Sequence, residues 1–283
     1  MKIFEALLKS RKELELKGVE SNKLDSLILL SYALSFSKEQ IIFNPDLELT
    51  ASQEQAFFGL VARRTNREPI SHIIKKREFY GEDFMVSGDV LDPRPDSESL
   101  IELVLENFSN KNQELKILEL GCGSGCLIIT LLRLYKNSTA ISVDISKKAL
   151  EIASQNACKH KVEDRLQLIE SDLFANLKNK KFDFIISNPP YIPSKEIENL
   201  QEEVKKYEPR IALDGGLDGL DFYRRIANNS ADFLNENGGV FLEIGFGQED
   251  EITKIFQQNN FYLIAAKPDL SSVIRGLYFK KSK

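Results

Sequence analysis

The run KILELGCGSGC at residues 116–126 decides the fold of this chain. Its first five residues are mostly apolar, as in a buried strand, and three glycines follow at alternate positions. Glycine permits a tight turn and lets a ligand approach the backbone closely. The apolar run that follows is typical of a helix, whose free N-terminal amides attract acidic ligand groups. Because ligands bind beyond the carboxyl ends of strands in open α/β sheets, this strand, loop and helix predict a nucleoside site.

Strand-like and helical runs alternate around this loop. The strand-like runs span residues 115–120, 140–145, 166–171, 182–187, 239–244, 261–266 and 273–279. Helical runs such as 126–136, 147–158, 219–235 and 248–258 lie between most of them. This alternation predicts an α/β, Rossmann-like fold with a mostly parallel sheet covered on both faces. Only KPDLSS separates the last two strands, which is too short for a crossover helix, so they should pair antiparallel. A seven-stranded sheet with such a C-terminal hairpin resembles that of class I S-adenosylmethionine (SAM)-dependent methyltransferases.

Acidic residues end the second and third strands of this alternation. Asp144 can accept hydrogen bonds from two ribose hydroxyls, and its alternative role is a cap on the helix that starts near Ser146. Asp172, with Leu173 and Phe174 after it, predicts an adenine pocket with a polar edge and an apolar wall, and a purely structural carboxylate is the alternative. The glycine loop alone does not separate SAM from a nicotinamide dinucleotide. The predicted cofactor-binding residues are Gly121, Cys122, Gly123, Ser124, Gly125, Asp144, Asp172, Leu173 and Asn188.

The fourth strand runs into Asn188-Pro189-Pro190-Tyr191, which selects the chemistry. A planar nitrogen is a poor nucleophile because its lone pair is delocalised, so an enzyme must align it with the methyl donor and favour its tetrahedral geometry. The side-chain carbonyl of Asn188 and the main-chain carbonyl of Pro189 can accept the two N–H bonds. The prolines restrict the backbone, and Tyr191 offers a flat wall. We predict Asn188, Pro189 and Tyr191 as catalytic, the whole tetrapeptide as substrate-binding, SAM as the cofactor, and no metal.

The N-terminal part has a different character. Leucines recur at helical spacing up to about residue 66, and β-branched and aromatic residues flank a predicted hairpin turn at Tyr80-Gly81. We therefore expect a helical domain at 1–68, a β-hairpin linker at 69–92 and a SAM-dependent methyltransferase domain at 93–283. The helical domain is either a packing module or, in its functional role, a substrate-recognition domain. Positive charge concentrates at 63–77, either as a solvated face or as a contact surface.

Composition and charge restrict the class of protein. The 283 residues carry a net charge of -5, which disfavours a protein that binds nucleic acid mainly through phosphates. The three cysteines, Cys122, Cys126 and Cys158, favour reduced thiols, and both histidines lie too far away to complete a metal site. The N-terminus lacks a signal-peptide pattern, and no apolar run approaches the roughly 20 residues of a membrane helix. We expect a cytoplasmic protein that does not contact membranes and binds no nucleic acid stably. The sequence leaves its oligomeric state open, and a monomer is our expectation.

Four segments give the chain a nearly full-length resemblance to a known family. They are REFYGEDFMV at 77–86, VLDPRPDSE at 90–98, SNPPYI at 187–192 and YEPRIALDGGLDGLDFYRRI at 207–226. With the glycine loop and Asp144, they resemble the release factor glutamine methyltransferase (HemK/PrmC) family. The resemblance implies methylation of the glutamine in the Gly-Gly-Gln motif of class I peptide chain release factors. It also implies that the helical domain contacts the release factor.

The same tetrapeptide supports an alternative, since it also occurs in enzymes that methylate exocyclic amino groups of adenine or guanine in nucleic acids. The sequence departs from the family at Asp92, where an apolar residue is usual, and at Ser272 and Ile274. We expect Glu119 to orient the glycine loop. Either a structural role or a role near the site is open for Arg94, Asp96, Glu98, Glu208, Arg210 and Asp214.

Overall fold

The computed structural model describes residues 1–178 and 180–282, which form two compact units. The first unit contains Met1–Lys76 together with Gln201–Tyr207, and the second contains Arg77–Leu200 together with Glu208–Lys283. The segment Gln201–Tyr207 of the first unit begins about ten residues after the NPPY tetrapeptide in sequence. The predicted boundaries of the domains at residues 68 and 92 stay predictions.

The first unit is helical. Its helices are α1 (Ile3–Leu16), α2 (Asn22–Leu34), α3 (Lys38–Phe43), α4 (Ala51–Thr65) and α5 (Ile70–Ile74). Apolar residues at helical spacing, including Ile3, Leu29, Leu30 and Phe57, are fully buried in one core. Ser37 and Thr50 begin α3 and α4 with capping boxes, which satisfy amides at the helix starts. The predicted helical domain is confirmed, and α5 shows that the first residues of the expected hairpin linker at 69–92 are helical.

Two arginines of the first unit, Arg64 and Arg67, are paired with acids. Arg64 is buried and donates from Nε to Asp25 at 2.7 Å and from Nη1 to Glu203 at 3.2 Å. Arg67 donates to the same Glu203 at 3.1 Å. Glu203 belongs to the segment 201–207, so ion pairs hold that segment to the helical unit. A buried arginine requires such partners because an unpaired buried charge is costly.

A β-hairpin opens the second unit, formed by β1 (Lys76–Phe79) and β2 (Glu82–Met85). Tyr80 and Gly81 between them have φ values of 51° and 74°, a left-handed turn that suits glycine. The predicted hairpin is thus confirmed. Phe79 of β1 and Phe84 of β2 are buried in the main core of this unit.

A seven-stranded sheet forms the centre of the second unit. Its strands are β3 (Lys116–Leu120), β4 (Thr139–Asp144), β5 (Leu166–Glu170), β6 (Phe182–Ser187), β7 (Leu234–Glu243), β8 (Phe261–Pro268) and β9 (Ile274–Lys281). Their order is β5-β4-β3-β6-β7-β9-β8, parallel from β5 to β7, and β9 pairs antiparallel with both neighbours. The predicted class I methyltransferase fold is confirmed.

Helices cover both faces of the sheet, and two apolar clusters fill the space between. The helices of the chain after the hairpin are α6 (Glu98–Asn107), α7 (Cys126–Leu134), α8 (Lys147–Lys159), α9 (Glu202–Tyr207), α10 (Asp221–Phe233) and α11 (Glu249–Gln258). Of these, α9 belongs to the helical first unit. On one face Phe241 stacks on Tyr278 with ring centroids 4.0 Å apart, and on the other Phe256 stacks on Phe279 at 4.4 Å.

Candidate functional site

The parallel register aligns the strand ends that carry the predicted site. Leu120 at the end of β3 pairs with Val143 on one side and with Ser187 on the other, and Ser187 pairs with Leu242. The hydroxyl of Ser187 is fully buried and donates to the carbonyl oxygen of Leu120 at 2.7 Å. The glycine loop and the NPPY tetrapeptide therefore leave the same edge of the sheet side by side.

A cleft lies at this edge, with about 1210 Å³ of empty space when its open mouth is included. Eight of the nine predicted cofactor residues line it: Gly121, Cys122, Gly123, Ser124, Asp144, Asp172, Leu173 and Asn188. Pro189 and Pro190 line it as well. The glycine loop, the two acidic strand ends and the tetrapeptide thus contribute to a single cleft.

Two glycines of the loop differ in what surrounds them. Gly123 has φ 52°, and a Cβ placed on it meets nothing within 4 Å, so its backbone faces the open cleft. Gly125 has φ 78°, and its Cβ would lie 2.9 Å from Ile129 and 3.3 Å from Ala153. Gly125 thus permits close packing of the loop on helices α7 and α8 instead of lining the cleft.

Asp144 organises the loop as well as facing the cleft. Its Oδ2 accepts from the amide of Gly123 at 2.9 Å, and its Oδ1 accepts from the amide of Ser146 at 2.8 Å. Ser146 itself caps α8 by accepting from the amide of Ala149. A carboxylate has about four acceptor positions, so Asp144 keeps capacity for hydroxyl groups of a ligand.

The residues predicted to contact adenine lie only partly where the sequence analysis placed them. Asp172 and Leu173 line the cleft, and Asp172 accepts from Nη2 of Arg225 at 2.7 Å. Phe174 instead stacks on Phe233 with ring centroids 4.7 Å apart and is buried in the core, so the expected apolar wall at Phe174 is wrong. Ile145, which is half exposed and lines the cleft, provides apolar surface there.

Three residues of the NPPY tetrapeptide, Asn188, Pro189 and Pro190, line the cleft. Nδ2 of Asn188 donates to Oγ of Ser97 at 3.2 Å, so the amide nitrogen is engaged within the protein. Among the residues that the structure describes, no group donates to Oδ1 of Asn188 or to the carbonyl oxygen of Pro189. Both oxygens remain available to a ligand.

Tyr191 does not line this cleft. Its carbonyl oxygen accepts from Nε2 of Gln248 at 3.0 Å, and Oε1 of Gln248 accepts from the amide of Gly245 at 2.9 Å. Gly219 packs against the same carbonyl so closely that a Cβ there would lie 2.4 Å from it. Burial raises the pKa of the Tyr191 phenol to about 12, so it stays protonated at neutral pH. The expected catalytic role of Tyr191 stays a prediction.

Two buried acids flank the site. Burial raises the pKa of Glu119 to about 8, although Ser142 and the backbone at Ile128 oppose the shift by hydrogen bonding. Glu243, at the end of β7, has a pKa raised to about 7 by burial, with Ser97 and Arg275 acting in the opposite direction. Sequence reasoning missed Glu243, Ser97 and Gln248 because each reaches the tetrapeptide only through folding. The register of β7 against β6 is the one signal that would have found Glu243.

The remaining polar residues of the family-like segments brace the site. Arg94 lines the cleft and donates to the buried Glu208 at 2.6 Å, while Glu98 accepts from the amide of Tyr80 at 2.8 Å. Asp96 pairs with Arg275 at 3.2 Å. Asp214 accepts from Ser194 and from the amide of Gly216, and pairs with Arg210 at 3.3 Å. Burial raises the pKa of Glu208 to about 7 against the effect of Arg94.

Two family models match the chain, one in its N-terminal part and one in its C-terminal part. The PrmC N-terminal domain matches residues 5–74, and the methyltransferase small domain matches residues 94–217. The release factor glutamine methyltransferase of Geobacter sulfurreducens is 40% identical over 87% of this chain and 84% of its own length. This chain belongs to the release factor glutamine methyltransferase family.

Other relatives in this family are longer. The bifunctional methyltransferase of Rickettsia felis is 38% identical over 98% of this chain, but the match covers only 58% of that protein. The chain thus spans little more than half the length of that relative. A methyltransferase of known structure from Pyrococcus furiosus superposes with a TM-score of 0.54 at 18% identity, over 78% of this chain and 98% of its own, which supports the fold alone. Within the described part of the chain, no helix combines the length and apolar character needed to cross a membrane.

Proposed function

We propose that this chain transfers the methyl group of SAM to the side-chain amide nitrogen of a glutamine, that of the Gly-Gly-Gln motif in class I peptide chain release factors. One observation carries the proposal: Asn188 and Pro189, whose carbonyl oxygens accept no hydrogen bond from the described residues, line the same cleft as the glycine loop. A primary amide has two N–H bonds, which match two such acceptors.

The residues around the cleft fit SAM. The open backbone at Gly123 leaves room for close approach of the cofactor, and Asp144 has acceptor capacity for ribose hydroxyls. Asp172 and Leu173 supply a polar edge and an apolar contact for adenine. Bound there, SAM supplies a methyl group already activated by its sulfonium.

The tetrapeptide then acts on the substrate amide. Asn188 and Pro189 accept its two N–H bonds, which hold the nitrogen lone pair towards the cofactor side of the cleft and favour tetrahedral geometry. No strong base is needed, since the nitrogen loses its proton easily once it carries a fourth substituent. The helical domain contacts the release factor in this proposal, and the reaction takes place in the cytoplasm.

The alternative, methylation of an exocyclic amino group in nucleic acid, receives less support. It draws on the same NPPY chemistry and on the basic cluster at 63–77 as a phosphate-binding surface. In the helical unit, Arg63 pairs with Glu68 at 2.5 Å, and Arg64 and Arg67 both pair with Glu203. Arginines that are already paired with carboxylates contribute little to phosphate binding.

Methyl transfer from isotopically labelled SAM to a purified class I release factor tests the proposal. We expect a label on the wild-type factor and none when the glutamine of Gly-Gly-Gln is changed to alanine. Labelling of RNA or DNA in place of either factor would overturn the proposal.

The Asn188→Ala variant tests the role of the tetrapeptide. Turnover should fall about 10²- to 10³-fold, the range for removal of one preorganised hydrogen-bonding group, while SAM affinity changes little. Asn112→Ala, in an exposed loop, is the matched control and should behave as the wild type. A normal turnover in Asn188→Ala would exclude the two-acceptor arrangement.

A further inference from the structure

Glu243 lies beside Asn188 because of the register between two parallel strands. Ser187 at the end of β6 pairs with Leu242 of β7, so the next residues, Asn188 and Glu243, leave the sheet next to each other. The backbone of Glu243 is fixed, since its carbonyl oxygen accepts from the hydroxyl of Tyr223 at 2.8 Å.

The Glu243 side chain is buried without full satisfaction of its oxygens. The residue is 1% exposed, and Oε2 has no hydrogen-bond partner among the described residues. Buried carboxyl oxygens normally have partners, because an unpaired one costs free energy. A buried acid with an unpaired oxygen beside the tetrapeptide indicates a role at that site.

Ser97 is the second neighbour of Asn188. It is 3% exposed and accepts from Nδ2 of Asn188 at 3.2 Å. Both Ser97 and Asn188 favour the charged form of Glu243 by hydrogen bonding. Nδ2 of Asn188 therefore has the Ser97 hydroxyl as one acceptor, and strand register places the Glu243 carboxylate next to it.

We propose that Glu243 and Ser97 are positioning residues that hold the carboxamide of Asn188 with Oδ1 directed into the cleft. This inference rests on the proposed amide methylation. An asparagine amide can rotate by 180°, which exchanges its oxygen and its nitrogen, and only one orientation presents an acceptor to the substrate N–H. A carboxylate opposite Nδ2 selects that orientation, and it also polarises the amide so that Oδ1 becomes a stronger acceptor.

Protonation of Glu243 weakens this arrangement, because a carboxylic acid offers Asn188 a donor where the carboxylate offered only acceptors. The pKa of Glu243 is raised to about 7 by burial. The titratable or charged groups that face it from the surrounding elements are Arg275 on β9, Asp96 before α6, Tyr191 after β6, Tyr223 on α10 and Cys126 at the start of α7. Arg275 shares its charge with Asp96 and Asp269, at 3.2 Å from each.

The first test needs no substrate. In the SAM-bound full-length protein, the side-chain NH₂ signal of Asn188, identified by its loss in Asn188→Ala, is followed by NMR between pH 5.5 and 8.5. We expect a titration with a midpoint near the pKa of Glu243 in the wild type and none in Glu243→Gln. A signal that does not move with pH in the wild type would overturn the proposal whether or not the proposed reaction is correct.

The second test measures turnover on the release factor. Glu243→Gln and Ser97→Ala should each lower kcat about 10- to 100-fold, the range for residues that orient another functional group, with SAM affinity within about twofold of the wild type. The rise of kcat with pH through neutrality should disappear in Glu243→Gln. Ser97→Thr keeps the hydroxyl and should restore most of the rate lost in Ser97→Ala.

Glu170→Gln is the matched control, because Glu170 also ends a strand of this sheet but is exposed. It should retain the wild-type kcat and pH profile. A wild-type kcat in Glu243→Gln, with the same pH profile, would refute the positioning role. Absence of transfer by the wild type itself would instead refute the proposed function and leave the NMR result to decide the positioning.

Discussion

Substitution of two glycines in the same loop should separate stability from cofactor binding. Both Gly123 and Gly125 have positive φ, at 52° and 78°, so alanine at either position costs about 1 kcal/mol in backbone conformation. Only Gly125 lacks space for a methyl group, since its Cβ would lie 2.9 Å from Ile129 and 3.3 Å from Ala153. Overpacking of this kind adds about 1–3 kcal/mol.

The expected free-energy losses translate into different melting temperatures. Gly125→Ala should lose roughly 2–4 kcal/mol in total, which corresponds to a decrease in Tm of roughly 5–15 °C for a unit of this size. Gly123→Ala should lose only about 1 kcal/mol, or roughly 3 °C, because its methyl group points into the open cleft. That methyl group occupies space beside the predicted cofactor, so the Kd for SAM should rise at least about tenfold.

Differential scanning calorimetry and isothermal titration with SAM measure the two quantities on the same preparations. A loss of stability in Gly123→Ala as large as that in Gly125→Ala would show that the assignment of the two glycines is incorrect. An unchanged Kd for SAM in Gly123→Ala would show that the cofactor does not approach this backbone.

Three other substitutions test the electrostatics of the second unit. Asp144→Ala removes the acceptor for two amides and for the ribose, so titration calorimetry should show SAM binding weakened by about 10- to 100-fold. Glu119→Gln should flatten the pH dependence of Tm. The pKa of Glu119 is raised to about 8 in the folded state, so between pH 4.5 and about 8 the folded state binds a proton that the unfolded state lacks. The stability of the wild type therefore falls as pH rises through this window, and that of the variant should not. Asp92→Leu should raise Tm by a few degrees, since Asp92 is buried with Oδ1 unpaired and lies 3.8 Å from Arg77. An equal or lower Tm would contradict that last expectation.

Local sequence patterns were sufficient for the sheet and for most of the cleft. The run at 116–126 and the tetrapeptide at 188–191 each carry their signal within about ten residues, as a strand that ends in special backbone chemistry. The C-terminal hairpin followed from the shortness of the KPDLSS connection. By contrast, the helix at 70–74 was missed because five residues rich in isoleucine are too short for their spacing to distinguish a helix from a strand.

Departures from the family pattern acquired physical meaning only in three dimensions. Ser272, one of the departures from the family pattern, has a φ of 64°, a conformation that glycine adopts without strain and serine does not. Asp92 replaces an apolar residue in a buried position, where one carboxyl oxygen lacks a partner. The sequence alone identified both positions as unusual but not the strain or the unpaired oxygen.

The sequence by itself determined the order of strands and helices, the glycine loop and the acceptor tetrapeptide, because these depend on neighbouring residues and on short-range periodicity. Tertiary structure alone decided the partners of those groups. Ser97 lies 91 residues from Asn188, and Glu203 lies 139 residues from Arg64, and no local pattern links members of either pair. Their proximity results from strand register and helix packing, and both are fixed by the burial of apolar surface. The same packing buries Glu243 beside Asn188.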